Sequence, residues 1–231
     1  MKENRKILFL GIGLVFVGAL FIEWSHAKET KTIITGNEME IINGGDKVVY
    51  NGNSKVVRGD NVLKANKIIQ NKTNSTIEAS GNVDFATLTE DKERVLGNSE
   101  NGQFNMKSGK GKLWNGRPTL KYFAKTSTGP IVLEAMTIDF NQKSSEIFAQ
   151  GNVIVISSSM TAYSPQALFK GKNHEIILTG KNPQPRVIFM ENDKKGDYYA
   201  DKITMYTDKK KIFFDGNVSG KIFLPDEEKK E

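Results

Sequence analysis

Leu63-Lys64-Ala65-Asn66-Lys67-Ile68, then a polar turn, then Ile77-Glu78-Ala79-Ser80-Gly81-Asn82-Val83: the fold turns on the reading of this stretch. Ile77, Ala79, Gly81, Val83 and Phe85 occupy alternate positions, with Glu78, Ser80 and Asn82 between them. A period of two sends one set to one face of a strand and the other set to the opposite face. Asn71–Ser75 supplies the reversal, so the stretch predicts a pair of antiparallel strands.

The same layout recurs. Leu133 and Ala135 lead through Ile138 and Phe140 to Ile147, Ala149, Gly151-Asn152-Val153 and Val155. Tyr198 and Ala200 lead through Ile203 and Met205 to Ile212, Phe214 and Gly216-Asn217-Val218. In all three copies the glycine follows the alanine by sixteen residues. A fourth copy runs from Ser164 to Gly180, with Ala167, Phe169, Ile176 and Leu178 at the matching places. Weaker copies begin near Gly45, with a shorter hairpin ending at Gly59, and at Glu100, ending at Gly116. Such self-similarity marks consecutive supersecondary units. Asn43-Gly44, Asn51-Gly52, Asn101-Gly102 and Asn115-Gly116 read as hairpin turns, and Asn141–Ser145 and Thr207–Lys210 as turns within units.

Apolar residues change parity across the corner residue: Leu63/Ala65 against Ile68, Leu133/Ala135 against Ile138 and Phe140, Tyr198/Ala200 against Ile203 and Met205. A parity change in a continuing strand requires a bulge or corner, and corners at fixed intervals curve a sheet. The repeated small inward residues Ala79, Gly81, Ala149, Gly151 and Gly216 leave room between facing sheets. No window shows the three-and-four recurrence of a long amphipathic helix. Pro183-Gln184-Pro185 predicts a loop, and no internal linker divides the chain. One elongated all-β domain over residues 28–224 follows, with a charged tail over 225–231.

Chemistry is sparse. The 231 residues contain no cysteine and two histidines, His26 and His174, which argues against thiolate metal sites, histidine relays and multi-histidine metal centres. Gly109-Lys110-Gly111-Lys112 lacks the glycine and hydroxyl of a phosphate loop, and no nucleophile elbow occurs. No cofactor, metal or catalytic residue is expected, and His174 reads as a solvated turn residue. The net charge is +6. The basic runs Lys107–Lys112, Lys170–Lys172 and Lys209–Lys211 read as solvated turns, or as contacts to phosphates of an anionic lipid. They carry no interleaved aromatics, so nucleic acid is not an expected partner.

Lys2, Arg5 and Lys6 precede a run of apolar and uncharged residues from Ile7 to Ile22, and Ser25-His26-Ala27 offers small residues for cleavage. Sixteen residues span about 24 Å as a helix, short of a bilayer core of about 30 Å. A cleaved leader over residues 1–27 is expected, with an uncleaved anchor over residues 7–24 as the alternative. Either predicts export. The alternating apolar faces likewise have two readings: a closed sandwich core, or a groove holding something apolar.

The units of the form apolar-x-Ala-[Asp/Asn]-x-Ile, turn, Ile-x-[Ala/Phe]-x-Gly-Asn-Val, at Leu63–Val83, Leu133–Val153 and Tyr198–Val218, resemble the OstA/LptA group of lipopolysaccharide-transport proteins over about residues 32–223. The resemblance implies a twisted, V-shaped antiparallel β-jellyroll and a non-enzymatic protein of the periplasm. It would carry lipopolysaccharide (lipid A) through an apolar groove, between an inner-membrane export complex and an outer-membrane translocon with jellyroll domains of their own. An LptC-like adaptor anchored in the inner membrane is the alternative within the same system. A β-solenoid adhesin or polysaccharide-acting protein is more remote, because it needs parallel coils. The residues that would then meet lipid are the inward set: Leu63, Ala65, Ile68, Ile77, Ala79, Val83, Phe85, Leu133, Ala135, Ile138, Phe140, Ile147, Ala149, Val153, Val155, Phe169, Ile176, Leu178, Ile203, Met205, Ile212, Phe214 and Val218. The units near Gly45 and Glu100 are degenerate, and their share in a groove is left open. Unpaired first and last strands, near Lys31–Ile42 and Lys211–Phe223, predict a head-to-tail homo-oligomer.

Overall fold

The computed structural model describes residues 31–88, 94–123, 129–141, 143–173, 175–191, 194–206 and 211–223. The expected leader, His174, the turn Thr207–Lys210 and the charged tail lie outside them. The strands are β1 (Thr32–Thr35), β2 (Glu38–Ile42), β3 (Lys47–Arg58), β4 (Asn61–Asn71), β5 (Thr76–Leu88), β6 (Arg94–Asn105), β7 (Lys110–Trp114), β8 (Thr119–Phe123), β9 (Ile131–Glu134), β10 (Thr137–Asn141), β11 (Glu146–Ile156), β12 (Met160–Lys170), β13 (Glu175–Thr179), β14 (Arg186–Glu191), β15 (Lys194–Tyr199), β16 (Lys202–Tyr206), β17 (Lys211–Asp215) and β18 (Ser219–Phe223). Every pairing among them is antiparallel, and all join in one sheet. Among the described residues the helical content is two short 3-10 turns.

The pairings show that several short strands are halves of longer ones. β7 and β8 both pair with β6, β9 and β10 both with β11, and β13 and β14 both with β12. Each pair is one strand cut by a corner. β3, β4, β5, β11 and β12 carry the corner inside an unbroken ladder; in β5, Gly81 and Asn82 together face the single Glu100 of β6. Two residues opposite one is a bulge.

Gly-Asn serves these corners because both residues must leave the ordinary backbone regions. Gly81 and Asn82 have φ of +73° and +52°, and Gly151 and Asn152 have +81° and +47°. Glycine adopts this region freely and asparagine is among the few side chains that tolerate it. The corner is closed from across the ladder: the amide of Met136 donates to the carbonyls of Gln150 and Gly151, and that of Asp201 to Gly216. A Cβ on Gly81 would sit 2.7 Å from the Asn66 side chain. The corner glycines thus make room for the side chains of Asn66, Met136 and Asp201 on the neighbouring strands, which corrects the expectation that Gly81, Gly151 and Gly216 open space in the interior.

The hairpin assignments are corrected in part. Asn43-Gly44 does lie in the turn joining β2 to β3. Asn101-Gly102 lies in the regular ladder of β6, and Asn115-Gly116 is the corner between β7 and β8. Asn51-Gly52 belongs to a corner of β3, where Gly52 and Asn53 have φ of +70° and +48°. Its partner is Asn37, whose amide donates to Asn51 and Gly52. The first unit therefore runs from Gly36 to Gly52 rather than from Gly45 to Gly59. Loop 180–185 contains Pro183-Gln184-Pro185, as the sequence predicts.

The corners divide the sheet into two arms whose inner faces hold continuous cross-strand rows. On the first arm one row reads Ile68, Ala79, Gly102, Leu113, Ile138, Ala149, Ala167, Leu178, Ile203, Phe214. On the second, Val56, Leu63, Phe85, Gly97, Leu120, Leu133, Val155, Ala162, Val187, Tyr198. The facing rows bury one another. The larger cluster, from Val95 to Met205, draws on both arms, and a smaller one gathers Val56, Ala65, Ile68, Ile77, Ala79 and Val83. Burying each large aliphatic side chain is worth about 1.5–3 kcal/mol, so these rows carry most of the stability.

Candidate functional site

A cavity of about 190 Å³ separates the two clusters. Val56, Ile77, Ala79 and Val83 of the smaller cluster form one wall. Leu113, Leu120 and Ile147 of the larger cluster, with Phe85 and Phe140 packed on them, form the other. Gly102 and Phe104 complete the lining on the first arm, and Arg58, Asn61 and Thr87 lie at the strand ends of the second. The Thr87 hydroxyl donates to Asn61 Oδ1 at 2.6 Å, and Asn61 Nδ2 donates to the Arg58 carbonyl at 3.1 Å. These bonds pin the β3–β4 hairpin at the edge of the cavity.

Aromatic rings and glycines shape the walls together. Phe85 pairs with Gly97 across the ladder, and Phe140 with Gly111. A Cβ on Gly97 would meet the Phe85 ring at 1.9 Å, and one on Gly111 the Phe140 ring at 2.0 Å. Each ring therefore lies flat over the neighbouring strand. Phe104 stacks on Phe140 with centroids 6.1 Å apart.

Of the residues expected inward, Leu63, Ile77, Ala79, Val83, Phe85, Phe140 and Ile147 line this cavity. Ala65 and Ile68 are buried in the small cluster beside it. Leu133, Ala135, Ile138, Ala149, Val153, Val155, Phe169, Ile176, Leu178, Ile203 and Met205 are sealed in the larger core, and Ile212 and Phe214 are half-buried at its end. Over most of its length the interior is thus a closed sandwich. Val218 departs from expectation. It is 56 % exposed, whereas its counterparts Val83 and Val153 are 1 % exposed. It sits at the last corner, and no further strand among the described residues covers it.

Sequence reasoning missed Val56, Gly102, Phe104, Leu113 and Leu120, which come from the units it found degenerate. The legible signal was Gly52-Asn53, a second Gly-Asn step sixteen residues after Gly36. Of the expected basic runs, Lys107–Lys112 spans the turn into β7 and its first residues, and Lys170 ends β12 and pairs with Glu175 at 3.4 Å; Lys209 and Lys210 lie outside the described residues. Among the described residues no cluster of three or more metal-ligating side chains occurs.

Between the two arms of the bent antiparallel sheet the interior is apolar, with one small open space left within it. Residues 33–129 match the family described as LptA/(LptD N-terminal domain) LPS transport protein. That segment is thus similar to a family of transport proteins, and the described residues form an all-β, antiparallel sheet. The ladder and its corners continue past the matched segment to Phe223. No curated protein matches the chain. Among solved structures, the crystal structure of LptH, the LptA homologous periplasmic component of the conserved lipopolysaccharide transport device from Pseudomonas aeruginosa, aligns over 85 % of this chain and 96 % of that one, at 11 % identity and a TM-score of 0.24.

Proposed function

We propose that this chain is a periplasmic lipopolysaccharide-binding bridge, which receives lipid from an inner-membrane export complex and passes it along its interior toward an outer-membrane translocon. The observation that carries the reading is the apolar cavity between the arms, lined mostly by the segment similar to the transport family and completed by Phe140 and Ile147 from beyond it. Lipid acyl chains cannot cross water unaided, since each buried CH₂ is worth about 0.8 kcal/mol. An apolar interior removes that penalty without chemistry. The energy for transport must come from a partner.

In this closed state the space holds a fraction of a multi-chain lipid. Transport then requires the arms to part, beginning where the cavity already separates the two clusters. The free edges support the oligomer. Among the described residues, no further strand pairs with β1–β2 at one end or β17–β18 at the other, and Met39, Ile41, Phe213, Ile222 and Phe223 are exposed there. First edge to last edge is a heterologous contact that propagates.

The test is photo-crosslinking in cells. Groups placed at Phe85 and Ile147, which line the cavity, are expected to capture lipopolysaccharide. Groups at Asp84 and Glu78, one residue from the lining Phe85 and Ile77 and on the outer face, are expected to capture none. Equal capture from both pairs rejects the reading.

A further inference from the structure

Behind the cavity wall, on the outer face of the same strands, lies an open hollow of about 610 Å³. Gly102, Leu113 and Phe140 belong to the inner face, so Gln103 of β6, Lys112 and Trp114 of β7 and Thr137 of β10 stand on the opposite one. Register brings them together: Trp114 pairs with Thr137 across the ladder, and Lys112 with Gln103. Asn115 at the β7–β8 corner and Met136 before β10 complete the rim. We propose that this hollow binds a neutral saccharide, with a sugar ring stacked on Trp114 and its hydroxyls on Gln103, Asn115 and Thr137.

A tryptophan on this row has no core to fill. Its cross-strand neighbours are Thr137 and Asn101, followed by Gln150 and Ser80. Trp114 is half-buried, and among the described residues neither its indole N–H nor the Thr137 hydroxyl has a hydrogen-bond partner. The amides are only partly used. Asn115 Nδ2 donates to Asn101 Oδ1 at 2.9 Å and Gln103 Nε2 to Glu78 Oε1 at 3.3 Å, which leaves both side-chain carbonyls to accept. A pyranose matches this set: its C–H faces lie flat on an aromatic plane, and its rim of hydroxyls both donates and accepts.

Charge decides against an anionic ligand. Lys112 pairs with Asp139 at 3.4 Å and Arg117 with Glu134 at 2.6 Å, and the Glu100 side chain lies over Gly116. Each cation at the rim already has its carboxylate, so a phosphate or uronate meets more acid than base. The volume falls within the range of about 300–1,000 Å³ usual for small-molecule sites, room for a short oligosaccharide. Hollow and cavity sit back to back across β6 and β7. The sugars of a lipid held between the arms do not reach the hollow through the sheet, so the saccharide is a separate one.

Calorimetric titration of the purified chain tests this with cellotriose and chitotriose, with cellotriose oxidised to uronates, and with sorbitol, which has the hydroxyls but no ring. One neutral trimer is expected per chain, with weaker binding of the oxidised trimer and none of sorbitol. Binding should also change the tryptophan fluorescence. The chain has two tryptophans, Trp24 and Trp114, so in Trp114→Phe that change should vanish while calorimetry still detects the trimer, about fivefold weaker for the lost N–H donor. Gln103→Leu, at an exposed position, should also weaken binding about fivefold, and Trp114→Ala should abolish it. Should the alanine variant fail to fold by circular dichroism, Trp114→Phe and Gln103→Leu carry the test. Failure of both neutral trimers to bind, binding of sorbitol, tighter binding of the oxidised trimer, or affinity unaltered by these substitutions would each overturn the inference. Capture of lipopolysaccharide at Phe85 and Ile147 is expected to be unchanged in Trp114→Ala; its loss in a folded variant would overturn the assignment to a separate saccharide. Titration and capture read opposite faces of the sheet, so the carrier reading and the saccharide site fall separately.

Discussion

At the scale of single residues, the molecule is built on pairs in which one partner has no side chain. The Phe140 ring occupies the volume a Cβ on Gly111 would need. Gly111→Ala is therefore expected to destabilise the protein by about 1–3 kcal/mol, the usual cost of overpacking. Shortening the ring in Phe140→Leu should relieve part of that, so the double variant should be more stable than the sum of the two single losses predicts. Urea denaturation of the four proteins measures the coupling; additivity would show that ring and glycine do not meet. Corner glycines behave differently. Gly151 at φ +81° faces the Met136 side chain, and Gly151→Val should cost about 1–3 kcal/mol through backbone strain, whatever becomes of Met136.

At the scale of elements, the second arm near the last edge is held by a polar clamp on its outer face. Arg186 of β14 donates from Nε and Nη2 to Asp197 of β15 at 2.8 and 2.6 Å. Its guanidinium also stands 5.9 Å from the Tyr163 ring centre and 5.3 Å from that of Tyr199. Asp197 is nearly buried. The hydrogen bonds from Arg186 hold its carboxyl below the ordinary carboxylate range, and outweigh the opposing effect of burial. Arg186 is shifted upward, chiefly by the same hydrogen bonds. A depressed carboxylate stabilises the fold above the ordinary aspartate value of about 4, and the contribution fades as pH falls through the lowered folded value. Asp197→Asn should accordingly lower the denaturation midpoint at neutral pH, with the gap closing as the pH drops below about 4. A gap that stays constant across that range would mean the clamp acts through shape alone.

At the scale of the whole molecule, the proposed head-to-tail assembly is tested at the sheet edges. Ile222, 65 % exposed on β18, lies on the last edge, and Ile41, 60 % exposed on β2, on the first. Sedimentation velocity over a range of concentrations is expected to show growing species. Ile222→Lys should shift them toward the monomer by placing a charge in the joint, and crosslinks between cysteines at positions 36 and 218 should join unlike ends. A monomer at all concentrations, or links between like ends only, would contradict a head-to-tail bridge. Export adds a further expectation: sequencing of the processed protein should start at Lys28, whereas an intact Met1 end in the inner-membrane fraction would favour the anchored adaptor.

The sequence by itself determined the alternating faces of the strands and the corners of its three regular units, but not those of the units near Gly45 and Glu100. Period-two alternation at Ile77, Ala79, Val83 and Phe85 is a local property of the pleat, and the parity change at Ala65 already demanded a bend. The left-handed steps at Gly-Asn were legible for the same reason, since few residues adopt them. Which inward positions are sealed and which border open space was decided only by the tertiary structure. Phe140 and Phe169 lie on one inner row and read alike in the sequence, yet Phe169 is fully buried while Phe140 borders a cavity. Closure depends on how the facing arm fills the gap, and that facing arm lies far away along the chain. The same holds for Val218: its Gly-Asn-Val matches Val83 and Val153, but burial needs a neighbouring strand, and none follows β18 among the described residues.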